Sequence, residues 1–313
     1  MLKGIVLKST GSWYSVKSEE EKIYQCRVKG KLRQHIAFST NPVAVGDEVM
    51  LVKESEIQAQ ILEVLPRKNY IIRKSTNLSR KGHIIASNID QALLLVTIKK
   101  PKTLVGFIDR FLVSAEAFHI STTLLFHKID QYNEREKEEL ASLKKVYENA
   151  GYKCIETSAV SGEGTEELKK IMKNKISLFS GFSGAGKSTL TNFLEPELKL
   201  KTAEISAQHE TGKHTTTFAE MFPLSFGGYI IDSPGIRGFG IIDIEKQNLS
   251  HYFPEMLKIL DNCRFSNCMH VNEPGCAIKK GVEENSISAL RYQSYLSMLN
   301  EDQDENFRSD DYA

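Results

Sequence analysis

The sequence lacks a long hydrophobic run, a secretory signal and a large net charge. No apolar stretch among its 313 residues approaches the length that crosses a lipid bilayer. Its start, Met1 to Gly4, leads directly into a strand pattern without the basic and apolar regions of a signal peptide. The five cysteines are odd in number, and three of them lie near one histidine, which favours a reducing compartment and a bound metal over disulfides. These absences predict a cytoplasmic protein with no membrane partner.

The formal net charge of +1 does not by itself indicate a polyanionic partner, but the distribution of charge does. Residues 1–81 carry 15 Lys and Arg against 8 Asp and Glu, so the rest of the chain is mildly acidic. A basic N-terminal module favours contact with a polyanion such as a nucleic acid. A solvated basic face would have the same composition.

Residues 1–70 have the pattern of a small all-β domain. Short alternating or apolar segments separated by turn residues lie at Gly4–Leu7, Trp13–Val16, Ile23–Val28, Glu48–Val52 and Gln60–Leu65. Five such strands fit a closed barrel of the OB-fold type, which often binds oligonucleotides. Basic side chains lie on or just after the third strand, at Arg27, Lys29, Lys31 and Arg33. Tyr24 and Trp13 are available either to stack on bases or to fill the barrel, and for Trp13 we expect the interior.

A basic segment from Arg67 to Lys81 follows, which either lies along a phosphate backbone or is a solvated linker. Strands and helices then alternate over residues 71–245. The strands are at Gln91–Ile98, Thr122–Phe126, Lys153–Glu156, Ile176–Phe179 and Gly228–Ile231, and the helices at Ile108–Phe118, Asn133–Ala150 and Thr165–Met172. Repeated βα units predict a parallel sheet covered by helices on both faces, with ligands at the carboxyl ends of its strands.

The strongest motif follows one of these strands and has the pattern G-x-x-x-x-G-K-S. It consists of Gly181, Phe182, Ser183, Gly184, Ala185, Gly186, Lys187 and Ser188, with Thr189 continuing into a helix. Glycines let successive backbone N–H groups turn inward, and the helix N-terminus adds partial positive charge, so such a turn cradles phosphate. Lys187 is placed to reach the β- and γ-phosphates, and Ser188 to bind Mg²⁺. The motif predicts a nucleoside triphosphate site.

A second motif, Asp232 to Gly235, follows the strand that ends at Ile231. Asp232 suits a water-mediated contact with Mg²⁺, and the N–H of Gly235 suits a contact with the γ-phosphate. Between the two motifs, Gly212–Thr217 has the composition of a switch segment in which a threonine closes over Mg²⁺. The sequence leaves open which threonine does so, and Thr216 is our candidate.

Two segments that precede the phosphate loop match those that read guanine. They are His127-Lys128-Ile129-Asp130 and Thr157-Ser158-Ala159, and each lies at the end of a strand. The carboxylate of Asp130 can accept from N1–H and the 2-amino group of guanine, a pair of donors that adenine does not have. Lys128 would cover the base with its aliphatic stem, and the backbone of Ser158 and Ala159 would meet the guanine O6. The usual residue at the position of His127 is asparagine.

The order of these motifs is that of a circularly permuted GTPase, because the base-reading segments come before the phosphate loop rather than after it. A domain tolerates such a change when its surface termini can be rejoined elsewhere. Ile236 stands where many GTPases carry a glutamine that orients water, so unaided hydrolysis should be slow. We expect a catalytic group from elsewhere, with His214 as the candidate, although a surface histidine in a loop would look the same.

The C-terminal module, residues 246–313, contains a cluster of metal-ligand residues. Cys263, Cys268, His270 and Cys276 have the spacing C-x₄-C-x-H-x₅-C. Three thiolates and one imidazole complete a tetrahedral Zn²⁺ site, and full coordination by protein is typical of a structural metal. Unrelated reduced cysteines are the alternative. A helix over Glu284–Leu299 is expected to pack through Ile287, Leu290, Tyr295 and Leu299, and the acidic tail after it is expected to be disordered.

Together these features resemble the ribosome small-subunit-dependent GTPase A family, also called RsgA or YjeQ. The resemblance spans nearly the whole chain and includes Ala86–Gln91, Ile108–Leu112, the phosphate loop, the switch segments and the Cys/His spacing. It implies a GTP hydrolase that the small ribosomal subunit stimulates, acting late in the maturation of that subunit. It also implies rRNA contacts through the barrel and the metal module, and Zn²⁺ as the ion. His127 departs from the family's asparagine, which implies weaker bracing between the base-reading and phosphate loops.

The predicted protein is thus a multidomain monomer with an N-terminal OB-fold barrel, a central permuted α/β P-loop GTPase domain and a mostly α-helical zinc module. GTP or GDP, Mg²⁺ and Zn²⁺ are the expected cofactors. An alternative is a nucleotide-controlled RNA-binding assembly factor in which turnover is incidental. An ATP-dependent nucleic-acid enzyme is a third possibility, but a guanine-selective Asp130 would have no purpose there.

Overall fold

The computed structural model describes residues 1–29, 41–74, 82–200, 219–232 and 244–301. Across these ranges, no helix is both long and apolar enough to span a bilayer.

The N-terminal region is the expected five-stranded barrel. Its strands are β1 (Leu2–Ser9), β2 (Tyr14–Ser18), β3 (Ile23–Val28), β4 (Glu48–Lys53) and β5 (Gln58–Val64). They pair in the order β1-β2-β3-β5-β4, and β4 returns to pair with β1, which closes the ring. Alternate residues of each strand fill the interior, as the burial of every second residue in β3 illustrates.

The structure places Tyr24 inside the barrel, and our expectation of an interior position for Trp13 was wrong. Tyr24 is fully buried in the barrel core, because it shares the inward face of β3 with Cys26. Trp13 precedes β2, where Tyr14 takes the inward position instead. The half-buried Trp13 ring lies outside the core, with the guanidinium of Arg27 at 4.0 Å from its centroid. Trp13, and not Tyr24, is therefore available for stacking.

A hairpin joins the barrel to the central domain. Its strands are β6 (Tyr70–Lys74) and β7 (Gly82–Ser87), so the segment expected to be a connector contains a strand. The buried carboxylate of Asp47 accepts hydrogen bonds from the guanidinium of Arg67 at 2.6 Å and from the hydroxyl of Ser87. These contacts brace the barrel against the hairpin. The division of the chain at residues 70 and 245 stays a prediction.

The central domain has the predicted alternation. Its elements are β8 (Gln91–Val96), α1 (Val105–Ala117), β9 (Ser121–His127), α2 (Glu134–Ala150), β10 (Lys153–Thr157), α3 (Thr165–Met172), β11 (Ile176–Gly181), α4 (Lys187–Leu194), β12 (Glu220–Pro223) and β13 (Tyr229–Asp232). The strand order is β10-β9-β8-β11-β13-β12, and all pairs are parallel except β12 with β13. Helix α2 begins with a capping box at Asn133 and ends at Gly151, which has a left-handed backbone conformation.

The central sheet continues into the barrel, which the sequence did not predict. Strand β12 pairs antiparallel with β1, with Glu220 opposite Lys8. The two side chains also form an ion pair at 2.9 Å. Since β12 would otherwise be an exposed edge strand, this pairing satisfies its backbone groups and connects both domains in one sheet of eleven strands.

Over residues 244–301, the described part of the C-terminal module contains three α-helices, α5 (Pro254–Leu257), α6 (Ala277–Glu283) and α7 (Ala289–Asn300). Helix α7 begins later than expected, because the N–H groups of Ser286 and Ile287 bond back to the carbonyl of Gly281 and end α6. Three of the four expected packing residues are buried, but Leu290 is 45% exposed.

Candidate nucleotide site and metal centre

The phosphate loop lies between β11 and α4, at the carboxyl edge of the sheet. Gly184 and Gly186 have φ values of +80° and +102°, a left-handed conformation that other residues rarely adopt. Ala185 between them is fully buried and anchors the loop in the core. The ring of Phe182 stacks on Phe107 of α1, with centroids 4.3 Å apart. The loop is therefore a fixed turn that opens directly onto the N-terminus of α4.

Lys187 begins α4 and lies across the loop. Its ammonium donates to the carbonyl oxygens of Gly181 at 2.7 Å and Phe182 at 2.9 Å. Ser188 is half-buried beside it, whereas Ser183 and Thr189 are exposed. A lysine held over the loop in this way has its charge where the phosphates of a bound nucleotide would lie.

The base-reading segments meet next to this loop, because β9 and β10 are neighbouring parallel strands. The hydroxyl of Ser158 donates to the carboxylate of Asp130 at 2.6 Å and accepts from the backbone N–H groups of Val160 and Ser161. Asp130 itself is exposed, so its second oxygen can reach a ligand. Ile129 and Ala159, on either side of this contact, are half-buried.

Lys128 connects the base-reading segment to the phosphate loop. Its ammonium donates to the carbonyl of Gly184 at 2.7 Å and to that of Lys100 at 2.6 Å. Burial lowers the pKa of Lys128 below its usual value, while the charge of Asp130 opposes this shift. The aliphatic stem thus spans the gap in which a base would lie.

His127 also lies between the base-reading segment and the phosphate loop, although it lacks the side-chain amide of the asparagine that is usual at this position. It is 2% exposed, and its Nδ1 lies 2.9 Å from the hydroxyl of Thr157. The opposite edge of the ring faces Gly186, where an added Cβ would lie 2.8 Å from Cδ2 and Nε2. The imidazole therefore lies between the two loops, and the expected weakening of the bracing between them stays a prediction.

The switch residues are only partly described. Asp232 ends β13 and is paired in register with Phe179 of β11, so its backbone lies beside the strand that leads into the phosphate loop. His214, Thr216, Gly235 and Ile236 lie outside the described residues, and their roles stay predictions.

The predicted metal ligands of the C-terminal module come together. The ligand atoms of Cys263, Cys268, His270 and Cys276 all lie within 4.8 Å of one another. Nδ1 of His270 is 3.4 Å from the sulfur of Cys276 and 3.7 Å from that of Cys263. With Zn–S of about 2.3 Å and Zn–N of about 2.0 Å, tetrahedral ligands are spaced by roughly 3.5 to 3.8 Å. The donor set and its spacing therefore fit Zn²⁺.

Comparison with known proteins agrees with this arrangement. A family model described as RsgA GTPase matches residues 64–242, and one described as RsgA N-terminal domain matches residues 3–61. The chain belongs to the RsgA GTPase family. It is therefore a GTP hydrolase, as the motifs predicted.

Curated relatives match the RsgA-family chain over its whole length. The small ribosomal subunit biogenesis GTPase RsgA of Flavobacterium psychrophilum is 54% identical over 314 residues, which cover 99% of this chain and 96% of the relative. The protein of the same name from Bacteroides fragilis is 51% identical over 308 residues, which cover 98% of this chain and 99% of the relative.

Solved structures support the fold. YjeQ from Thermotoga maritima superposes with a TM-score of 0.78 at 35% identity, covering 95% of this chain and 97% of that one. YloQ, described as a circularly permuted GTPase, superposes with a TM-score of 0.74 at 26% identity, covering 96% of this chain and 94% of that one. The predicted circular permutation of this RsgA-family GTPase is confirmed.

This RsgA GTPase contains a buried group of ion pairs that was not predicted from the sequence. The fully buried Arg291 of α7 donates to Glu255 at 2.7 and 3.0 Å and to Asp109 of α1 at 2.6 Å. Burial raises the pKa of Asp109, and the Arg291 charge opposes that rise. The group attaches the metal module to the GTPase domain. The only signal in the sequence was a carboxylate among the apolar residues of α1, including Ile108 and Phe111.

Proposed function

We propose that this GTPase acts late in the biogenesis of the small ribosomal subunit and that the subunit stimulates its hydrolysis of GTP. The proposal is supported by the name shared by relatives of 54% and 51% identity that match the chain nearly end to end. The main structural support is that the guanine-reading segment and the phosphate loop lie side by side, where the ammonium of Lys128 donates to the carbonyl of Gly184. We propose that the protein acts as a cytoplasmic monomer.

Each side chain of the pocket has a proposed task. Asp130 accepts from N1–H and the 2-amino group of guanine, and Ser158 holds that carboxylate in place. Lys187 leaves its contacts with the loop carbonyls to neutralise the β- and γ-phosphates, where charge develops during transfer. Ser188 and Asp232 suit the coordination of Mg²⁺, directly and through water. Mg²⁺ supplies further neutralisation of the phosphate oxygens when bound.

Slow unaided hydrolysis follows from the switch residues. Ile236 is apolar and cannot orient water, so the attacking water needs a group that arrives from elsewhere. We propose His214 for that task, Thr216 as the switch ligand of Mg²⁺, and the Gly235 N–H as a donor to the γ-phosphate.

RNA contacts are proposed for two surfaces that each combine an arginine with an aromatic ring. On the barrel, the exposed Arg27 lies over Trp13. On the metal module, the guanidinium of Arg264 lies 5.4 Å from the ring centroid of Phe265, which is 40% exposed. Such pairs offer a flat face for stacking on unpaired bases and a positive charge for phosphate. We propose that rRNA of the small subunit is the ligand of both surfaces.

Purified small ribosomal subunits should raise the rate of phosphate release from GTP at least about tenfold, since catalytic groups supplied in trans are worth far more than that in other GTPases. Large subunits serve as the control. Equal rates with and without small subunits would contradict the proposal.

The substitution Arg27→Glu should weaken the stimulation by small subunits without changing the rate of the isolated protein. The control Lys170→Glu, on the exposed face of α3, should leave both the stimulation and the unstimulated rate unchanged.

We propose that Zn²⁺ occupies the Cys/His cluster and orders the C-terminal module. Tyr292 and Tyr295 donate to the carbonyls of His270 at 2.6 Å and of Met269 at 2.8 Å, so the packing of both rings depends on the loop that the metal would fix. The substitution Cys263→Ser should remove the metal and reduce the near-ultraviolet circular dichroism of these tyrosines. The zinc content of this variant, measured with a colorimetric chelator, should fall as well.

The matched control for this experiment is Cys154→Ser, because Cys154 is a half-buried cysteine of β10 outside the cluster. That variant should keep its zinc. A Cys263→Ser protein with unchanged metal content and unchanged tyrosine signal would argue against a structural zinc site.

A further inference from the structure

The phosphate loop packs against the first turn of α1 and against the segment that joins β8 to this helix. The ring of Phe182 stacks on Phe107, with centroids 4.3 Å apart and an angle of 24° between the ring planes. Phe107 is itself buried in the core of the central domain, which holds its ring in place. Two residues further along the loop, a Cβ added to Gly184 would lie 3.6 Å from Cδ of Pro101. The position of the loop therefore depends on where α1 lies.

The residue that α1 contacts is also the one on which Lys187 rests. The carbonyl oxygen of Phe182 accepts from the ammonium of Lys187 at 2.9 Å and from the N–H of Ala185 at 3.1 Å. Because ring and carbonyl belong to one residue, a shift of the Phe182 ring also moves the oxygen that orients Lys187. A displacement of about 1 Å at a catalytic group can change a rate by roughly a hundredfold. The aromatic stack is therefore placed to control the reacting geometry.

The same helix is attached to the metal module. Asp109 accepts from Arg291 of α7 at 2.6 Å, and the guanidinium of Arg110 donates to Glu301 at the end of α7, also at 2.6 Å. Val113, one turn further along α1, is fully buried in the apolar core of the module. These contacts begin within one turn of the aromatic stack, and a helix is stiff over that length. A movement of the module relative to the central domain would therefore reach the phosphate loop through α1.

We propose that Phe107 positions the phosphate loop through its stack on Phe182, and that α1 thereby couples the loop to the attachment of the metal module. Phe107 is in this view a positioning residue, which acts on the reaction through Phe182 and Lys187. The inference rests on the role proposed above for Lys187. Coupling between two sites is reciprocal, so a nucleotide that fixes the loop also stabilises the contact between α1 and the module.

The first test measures kcat and KM for GTP. In Phe107→Leu and Phe182→Leu, which each remove one ring of the stack, kcat should fall about tenfold and KM should change less than about threefold, because the charge of Lys187 is needed most in the transition state. Phe182→Tyr keeps an aromatic ring and should retain kcat within about twofold of the wild type. Phe118→Leu, at the opposite end of α1, is the matched control and should not change kcat. Unchanged kcat in both leucine variants of the stack would overturn the inference.

Hydrogen exchange measures the coupling without turnover. Saturating GDP should slow the exchange of α7 amides about fivefold in the wild type relative to those of β3 in the barrel, and this difference should be absent in Phe107→Leu. Wild-type α7 amides that do not respond to GDP would overturn the coupling even if the leucine variants do not fold. Hydrolysis at the wild-type rate by Lys187→Ala would instead reject the role of that lysine, so the two failures are distinguishable.

Discussion

Replacing Lys187 with alanine should lower the rate of GTP hydrolysis at least about a hundredfold, with or without small ribosomal subunits. Its ammonium lies over the loop carbonyls of Gly181 and Phe182, within reach of the phosphates that would enter the cradle. Removing it takes away the charge that stabilises the transferring phosphoryl group, and no other lysine or arginine follows in α4 to replace it. The measurement is phosphate release under single-turnover conditions, which separates chemistry from product release.

A lysine of the same domain provides the control. Lys170 of α3 is exposed, so Lys170→Ala removes an equal charge and should hydrolyse GTP at the wild-type rate. The thermal stability of both variants should stay near that of the wild type. If Lys187→Ala turned over GTP at more than about a tenth of the normal rate, the proposed role of this lysine would be wrong.

Replacing Arg291 with methionine should destabilise the protein by about 3–5 kcal/mol, the range found when one partner of a buried ion pair is removed. The guanidinium is the shared cation partner of Asp109 and Glu255 in a fully buried position, and its removal leaves the two carboxylates without that positive charge. The substitution also removes the contact between the guanidinium and the ring of Phe253, whose centroid is 4.8 Å from the guanidinium carbon. Chemical denaturation followed by tyrosine fluorescence should detect the loss. Arg264→Met, on an exposed arginine of the same module, should cost less than about 1 kcal/mol.

The destabilisation should also depend on pH in a defined direction. Burial already raises the pKa of Asp109, and without Arg291 it should rise further, so the folded variant binds a proton that the unfolded chain releases above about pH 4. The stability of the variant should therefore fall relative to the wild type as the pH increases above that value. A deficit that shrank as pH increased would contradict a buried, unneutralised carboxylate.

The nucleotide site was predictable because each of its motifs ends a parallel strand. In such a sheet the carboxyl ends of β9, β10, β11 and β13 lie at one edge, so separate short motifs are brought together by topology alone. The contacts of Ser158 with Asp130 and of Lys128 with Gly184 follow from that placement. The clustering of the four candidate metal ligands was predictable for a different reason, because all four lie within one short segment of the chain.

Other features depended on which face a side chain turns to, or on partners far away in the chain. Trp13 lies outside the barrel core because Tyr14 and Val16 form the inward face of β2, and neighbouring residues of a strand point to opposite faces. Leu290 is exposed because the neighbouring Arg291, and not Leu290, lies on the buried face of α7. A pattern of apolar residues does not by itself decide which of two adjacent residues faces the core.

The sequence by itself determined the family and its activity, GTP hydrolysis, because the phosphate-loop pattern and the order of the motifs have few other uses. It also predicted the residues that would carry this chemistry, from the phosphate loop and Asp130 to the four candidate metal ligands. Only the tertiary structure decided how the parts are joined. The pairing of β12 with β1, the burial of Arg291 between α1 and the metal module, and the contact of His127 with Gly186 each connect residues distant in sequence. Long-range contacts of this kind depend on the packing of the whole chain, so no local pattern encodes them.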